Sequence, residues 1–153
     1  MSIQLGNQAP DFDLLTDNSK DLRLSSLQGF KVVLYFYPKD MTPGCTLEAE
    51  LFRDSISFFI ENNTKIVGVS KDSVKRHEKF KTKLNLPFVL VSDEDGKVCE
   101  NYGVWVEKNN YGRRYMGIER STFLINEQGR IVHIWRKVRV KDHVEKVLEA
   151  IAT

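Results

Sequence analysis

Cysteine is scarce in this 153-residue chain: Cys45 and Cys99 stand 54 positions apart, and there is no CxxC pair. Two thiols that far apart do not make a thiolate zinc site, and His77, His133 and His143 lack close metal-ligand spacing, so no metal is expected. A chain of this length buries roughly two thirds of the surface it exposes when unfolded, so it needs no disulfide scaffold. Charge of one sign is also missing. With 23 Lys+Arg against 21 Asp+Glu the net charge is +2, too balanced for a nucleic-acid binder that relies on a basic field. No apolar run reaches the roughly 18 residues of a membrane span, and Met1 to Gly6 has no signal-peptide character, which predicts a cytoplasmic protein. There is no repeat or low-complexity linker, and the four prolines and nine glycines are scattered, so 1–153 is expected to be one domain.

What the chain does contain is an alternation of strand-like and helix-like segments. Phe12 to Thr16 and Asp21 to Leu24 flank Asp17-Asn18-Ser19, a turn sequence that predicts an N-terminal β-hairpin outside the central sheet. Lys31 to Tyr37 is a continuous apolar and aromatic run of the kind buried on both faces in a parallel sheet, ended by Pro38. Leu47, Leu51, Phe52, Ile56, Phe59 and Ile60 then recur at three- and four-residue steps, predicting one long helix over 44–61. Strands at 65–70 and 88–91 bracket a helix at 73–84 with Ser73 as N-cap. A short helix over 95–101, a hairpin of 121–125 with 130–135, and a closing helix over 140–152 complete the chain. The basic run Arg136 to Lys141 alternates like a half-exposed strand end. A β-α-β half followed by a β-β-α half predicts an α/β fold of the thioredoxin-like class, a central mixed sheet flanked by helices.

Cys45 sits beyond the carboxyl end of the most apolar strand and in the first turn of the helix that follows, where open α/β sheets place their chemistry. Unpaired backbone N–H groups and the positive end of the helix dipole favour thiolate over thiol there. The segment Pro38-x-x-x-Thr42-Pro43-Gly44-Cys45-Thr46 resembles the active-site signature of the peroxiredoxins, in the bacterioferritin comigratory or PrxQ branch. Gly6 to Phe12, Asp93 to Trp105 and Glu119 to Ile125 resemble further landmarks of that branch in the usual order.

The resemblance implies that Cys45 is the peroxidatic nucleophile and that Thr42 and Arg120 stabilise the reacting peroxide. It also implies supporting roles for Pro38, Pro43 and Gly44 in the loop, no cofactor, and a monomer or weak homodimer. An ordinary thiol near pKa 8.5 is about 3% ionised at pH 7, so complete ionisation gains only about 30-fold and aimed donors must supply the rest. Taken alone, Thr42 reads as a turn or N-cap residue and Arg120 as a solvated strand-start charge, so both assignments rest on the resemblance. Glu48, one helical turn after Cys45, is placed either to orient Arg120 by an ion pair or as a surface residue favoured by the helix dipole.

The function expected is reduction of hydrogen peroxide and organic hydroperoxides through a Cys45 sulfenic acid, with thioredoxin or glutathione/glutaredoxin as reductant. A non-enzymatic redox sensor or holdase switched by Cys45 oxidation is the alternative. Many relatives carry a resolving cysteine five residues after the first, where this chain has Glu50, or on the following helix, where it has none. Only Cys99 remains as a resolving candidate, and the segment around it reads as packed, so a single-cysteine cycle is expected.

Overall fold

The computed structural model describes residues 3–152. Its central feature is the strand β3 (Lys31–Phe36), buried along all but its first residue. Side chains alternate across a strand, so Val33 and Tyr35 enter one apolar core while Val32, Leu34 and Phe36 enter a second on the opposite face. The strands β4 (Thr64–Ser70) and β5 (Val89–Ser92) extend the sheet in parallel on one side of β3, and β8 (Ser121–Ile125) with β9 (Ile131–Trp135) extends it antiparallel on the other.

Four helices supply the first core: α1 (Pro43–Asp54) with Ala49 and Phe52, α2 (Ile56–Glu61) with Phe59, α3 (Val74–Leu84) with Phe80 and Leu84, and α5 (His143–Ala152) with Val144, Val147 and Ile151. The second core is closed by Leu24 of a short 3-10 turn and by Val98 and Cys99 of α4 (Lys97–Asn101). Ser73 caps α3, its side chain accepting from the Arg76 N–H at 3.2 Å, as the sequence predicts.

The N-terminal hairpin, β1 (Asp13–Thr16) and β2 (Asp21–Arg23), does not stand apart from the sheet as expected. β1 pairs antiparallel with β5 through Leu15↔Ser92 and Thr16↔Val91, giving the order β2-β1-β5-β4-β3-β8-β9. The free edge of β5 needs partners, and Asp17 prolongs the ladder by donating its N–H to the Leu90 carbonyl and accepting the Leu90 N–H on Oδ1.

The single helix expected over 44–61 is broken at Ser55, whose carbonyl accepts from both Phe58 and Phe59. The break turns Phe59 inward while Ile60 is 69% exposed, and Leu47, expected on the inner face, is 48% exposed. The run 136–141 is a loop, with Lys137 at φ 48° and the Arg136 guanidinium over the Phe123 ring. Between α4 and β8 lies a two-stranded ribbon that the pattern did not predict, β6 (Trp105–Asn110) and β7 (Arg113–Ile118). Its turn residues Tyr111 and Gly112 both have positive φ, the conformation a tight two-residue hairpin requires.

Candidate functional site

At the carboxyl end of β3 the chain passes through Tyr37 and a short loop into α1. Thr42 is the N-cap in extended conformation, but its hydroxyl does not cap the helix and donates instead to the Lys39 carbonyl at 2.8 Å. Pro43 takes the first helical position, where the N–H it lacks has no helical partner to lose. Cys45 follows in the first turn, 1% exposed, in the helix-side core.

Arg120 is delivered from the other side of the same strand. Phe36 pairs with Ser121 of β8, so the residue before Ser121 lies beside the end of β3, and the ribbon fixes its approach through the Glu119 N–H bond to the Val104 carbonyl. Its guanidinium spans two groups: Nη2 donates to Cys45 Sγ at 3.3 Å and Nη1 to Glu48 Oε1 at 2.6 Å. Gly44 leaves room for this, because a Cβ at that position would stand 3.2 Å from Nη2.

Burial pushes the Glu48 carboxyl up to about 7, with the Arg120 charge pulling the other way, and Oε2 has no hydrogen-bond partner. Burial also works against the Arg120 charge, but Glu48 and Cys45 outweigh it and hold the guanidinium more firmly protonated than usual. The Arg120 side chain keeps 16% exposure, so the cluster touches solvent through it. Lys108 of β6 is a further cation nearby, its pKa lowered by burial and by repulsion from Arg120.

Of the residues singled out in the sequence, Cys45, Gly44, Glu48 and Arg120 meet in one cluster, and Thr42 stands at the N-cap position of the same helix. Pro38 and Pro43 are exposed and shape the loop on either side. Cys99 lies elsewhere, in the core on the opposite face of the sheet. Its N–H is held by Asp93 Oδ2 at 2.8 Å, and burial together with the Asp93 carboxylate drives its thiol well above the usual range. A disulfide needs Cα atoms within about 7 Å, which two residues packed against opposite faces of an intact sheet do not meet.

The sequence reasoning missed a second polar group directly beneath the loop. Asp40 and His77 are both fully buried, with His77 Nδ1 2.6 Å from Asp40 Oδ2, and the Tyr37 hydroxyl donates to Asp40 Oδ1 at 2.5 Å. The available signal was the spacing of His77, Phe80 and Leu84 on one face of α3, which places the imidazole inward. Asp40, Asp72 and His77 bring ligand-type atoms within 4.8 Å of one another, but the Arg76 guanidinium already sits there, 2.9 Å from Asp72 Oδ1 and donating to the Asp40 carbonyl at 2.8 Å. Asp72 therefore has its counter-charge from the chain itself, and the Asp40 carboxylate is engaged by Tyr37 and His77.

Residues 5–134 match the model of the AhpC/TSA family. Peroxiredoxin Bcp of Bacillus subtilis is 53% identical over 151 residues, covering 99% of this chain and 96% of the relative. Among solved structures, the bacterioferritin comigratory protein of Xanthomonas campestris, described with its alkyl peroxide reduction activity, superposes with a TM-score of 0.91 at 42% identity, covering 98% of this chain and 96% of that one. The PrxQ of Xylella fastidiosa, as a cysteine-to-serine mutant, superposes at 0.94 with 39% identity, covering 99% and 97%. Among the described residues no helix is long and apolar enough to cross a membrane. The chain belongs to the AhpC/TSA family and, within it, to the Bcp/PrxQ peroxiredoxins, enzymes that reduce peroxides.

Proposed function

We propose that Cys45 is the peroxidatic nucleophile of a single-cysteine cycle. The observation that carries this reading is the Arg120 guanidinium donating to Cys45 Sγ with one nitrogen while Glu48 holds the other. A permanent planar cation in that position lowers the energy of the thiolate and of the negative charge that develops as peroxide is cleaved.

In the first step the thiolate attacks one peroxide oxygen. An S–O bond forms, the O–O bond breaks, the sulfur loses two electrons, and the leaving oxygen takes a proton to become water or an alcohol. Cys45 is left as sulfenic acid. Thr42, whose hydroxyl proton rests on the Lys39 carbonyl, donates to the peroxide after rotation about its side chain. An external thiol then displaces water from the sulfenic acid, and a second thiol releases Cys45 from the mixed disulfide. Thioredoxin or a glutathione/glutaredoxin system supplies these thiols. The position of Cys99 across the sheet supports an external rather than an internal second thiol.

Intact mass spectrometry after one equivalent of peroxide, with and without each reductant, tests the cycle. The expected species without thiol is the Cys45 sulfenic acid or its over-oxidised forms, and Cys99→Ser retains most turnover with an external thiol. Rapid stoichiometric formation of a Cys45–Cys99 disulfide, or residual turnover above a few per cent in Cys45→Ser, overturns the assignment.

A further inference from the structure

Asp40 lies two residues before the N-cap of α1, and every polar atom it owns is fixed. Its N–H donates to Asp72 Oδ2 at 2.8 Å, its carbonyl accepts from Arg76 Nη2 at 2.8 Å, Oδ1 accepts from the Tyr37 hydroxyl, and Oδ2 faces His77 Nδ1 at 2.6 Å. Asp72 is itself held, accepting from the Ser70 hydroxyl at 2.7 Å. These partners are Tyr37 just past β3, Asp72 in the β4–α3 connection, and Arg76 and His77 of α3, so Asp40 ties the loop that enters α1 to the end of its own strand and to the α3 side of the fold.

His77 is the far anchor of this tie. Its Nε2 lies 3.0 Å from the Val91 carbonyl on β5, an oxygen that only accepts, so Nε2 carries a proton. The remaining short contact to Asp40 holds one proton, which makes the bond equally whether it resides on Nδ1 or on Oδ2. The imidazole therefore bridges β5 to the loop with both nitrogens engaged and no exposure to water.

Next to this anchor the chain is strained. Met41 has φ 67°, a left-handed conformation that costs a non-glycine residue of order 1 kcal/mol or more and persists only where its surroundings impose it. Thr42 follows directly, with its hydroxyl on the Lys39 carbonyl, and Cys45 lies three residues on, in the first turn of α1. Both groups that the proposed chemistry requires from this loop hang from the segment that Asp40 and His77 fix.

We propose that His77, acting through Asp40, is a positioning residue for the peroxide-reducing step: it sets the loop so that Thr42 and Cys45 face the same peroxide. This rests on the reading of Cys45 as nucleophile. His77 touches neither peroxide nor sulfur in this role, so its loss acts on the geometry of the reacting groups, where a displacement of about 1 Å costs on the order of 10²-fold in rate.

The test compares two substitutions that leave similar space but keep different hydrogen bonds. In His77→Asn the short amide places its nitrogen near the former Nδ1 and keeps the bond to Asp40; in His77→Gln the longer amide places it near Nε2, keeps the Val91 carbonyl and gives up Asp40. The second-order rate constant for hydrogen peroxide is measured by stopped flow beside the melting temperature, with Val147→Ala on α5 as a core variant remote from the loop. The expected result is that His77→Gln is slowed tenfold or more, that His77→Asn stays within about threefold of the parent chain, and that Val147→Ala is not slowed although it melts earlier. Equal rates for the Asn and Gln variants, or equal slowing of His77→Gln and Val147→Ala, overturn the proposal by reducing His77 to a general stabiliser. If His77→Gln does not fold, Tyr37→Phe, which removes only the hydroxyl on Asp40 Oδ1, takes its place, with a loss of at least threefold expected and an unchanged rate counting against the proposal. Failure of the underlying reading is separable, because the parent chain would then itself react no faster than free cysteine.

Discussion

Replacing Gly44 by alanine separates stability from activity at one atom. Gly44 is the second residue of α1 and does not have positive φ, so alanine fits the backbone and gains roughly 0.5–1 kcal/mol of helix propensity. The added Cβ stands 3.2 Å from Arg120 Nη2, inside ordinary van der Waals contact, so the guanidinium must retreat by a few tenths of an ångström. That retreat falls on the bond from Nη2 to Cys45 Sγ, since Nη1 is anchored on Glu48 at 2.6 Å. Scaling from about 10²-fold per 1 Å of misplacement, the peroxide step slows by about three- to tenfold. The melting temperature stays level or rises by roughly 2–4 °C, the change that about 1 kcal/mol produces in a domain of this size. Stopped-flow oxidation by hydrogen peroxide and calorimetry on the same preparation measure the two effects. An unchanged rate with a raised melting temperature refutes the claim that the distance between Arg120 and Cys45 limits the reaction, and a fall in both shows that alanine disturbs the packing of α1 instead.

Arg120→Ala slows peroxide reduction by roughly 10² to 10³, the usual loss for one preorganised charge-stabilising donor, and Arg120→Lys restores little because one ammonium cannot reproduce the forked hold on Sγ and Glu48; recovery to within threefold by lysine would refute the forked role. With the Glu48 carboxyl near 7, the peroxide rate falls as pH drops through that value and Glu48 loses the charge that holds Arg120; Glu48→Gln is slower at pH 8 and lacks this limb, and a limb that persists in the variant assigns it to another group. Burial lowers His143 from 6.5 to about 4, so its contribution to stability is full above pH 6.5 and is lost as pH falls toward 4, by at most about 3 kcal/mol. Glu48, raised from 4.5 to about 7, contributes in the opposite sense, its share being full below pH 4.5 and lost as pH rises through 7. These two contributions therefore oppose each other between about pH 4.5 and 6.5, so the stability of Glu48→Gln in denaturant unfolding rises more steeply with pH over that window than that of the parent chain; equal profiles for the two would contradict the opposed titrations.

The strand β3 and the cysteine after it were legible because a six-residue apolar run ended by proline has few alternatives, and because chemistry collects where such a strand meets a helix. Local pattern was blind wherever a distant partner decides the outcome. Nothing in Asp13–Thr16 announces that β5 will leave an open edge for it, and nothing in the apolar spacing over 44–61 announces that Ser55 will break the helix to turn Phe59 inward. The β6–β7 ribbon was hidden for another reason: its strands are largely exposed and polar, and its turn places Tyr111, not asparagine or glycine, in the left-handed position. Arg120 and Glu48 could be named but not joined from sequence, since 72 positions separate them and only the β3–β8 register brings them together. The Asp40–His77 pair stayed out of reach because a lone inward histidine gives no hint of its partner.

The sheet that separates the two sulfurs also keeps them from exchanging oxidation by direct contact. On the cycle proposed above, both oxidising equivalents of a peroxide stay on one atom until thiols arrive from outside, because Cys99 is packed on the far side of the sheet and has its own carboxylate neighbour. Survival of the active sulfur then depends on a ratio of two fluxes, thiol against peroxide, and not on either concentration alone. When thiol falls behind, the next peroxide meets the same sulfur already oxidised and carries it to the sulfinic stage. A protein built this way behaves as a fuse: it protects while reductant is plentiful, and its loss marks the point at which reductant has run short.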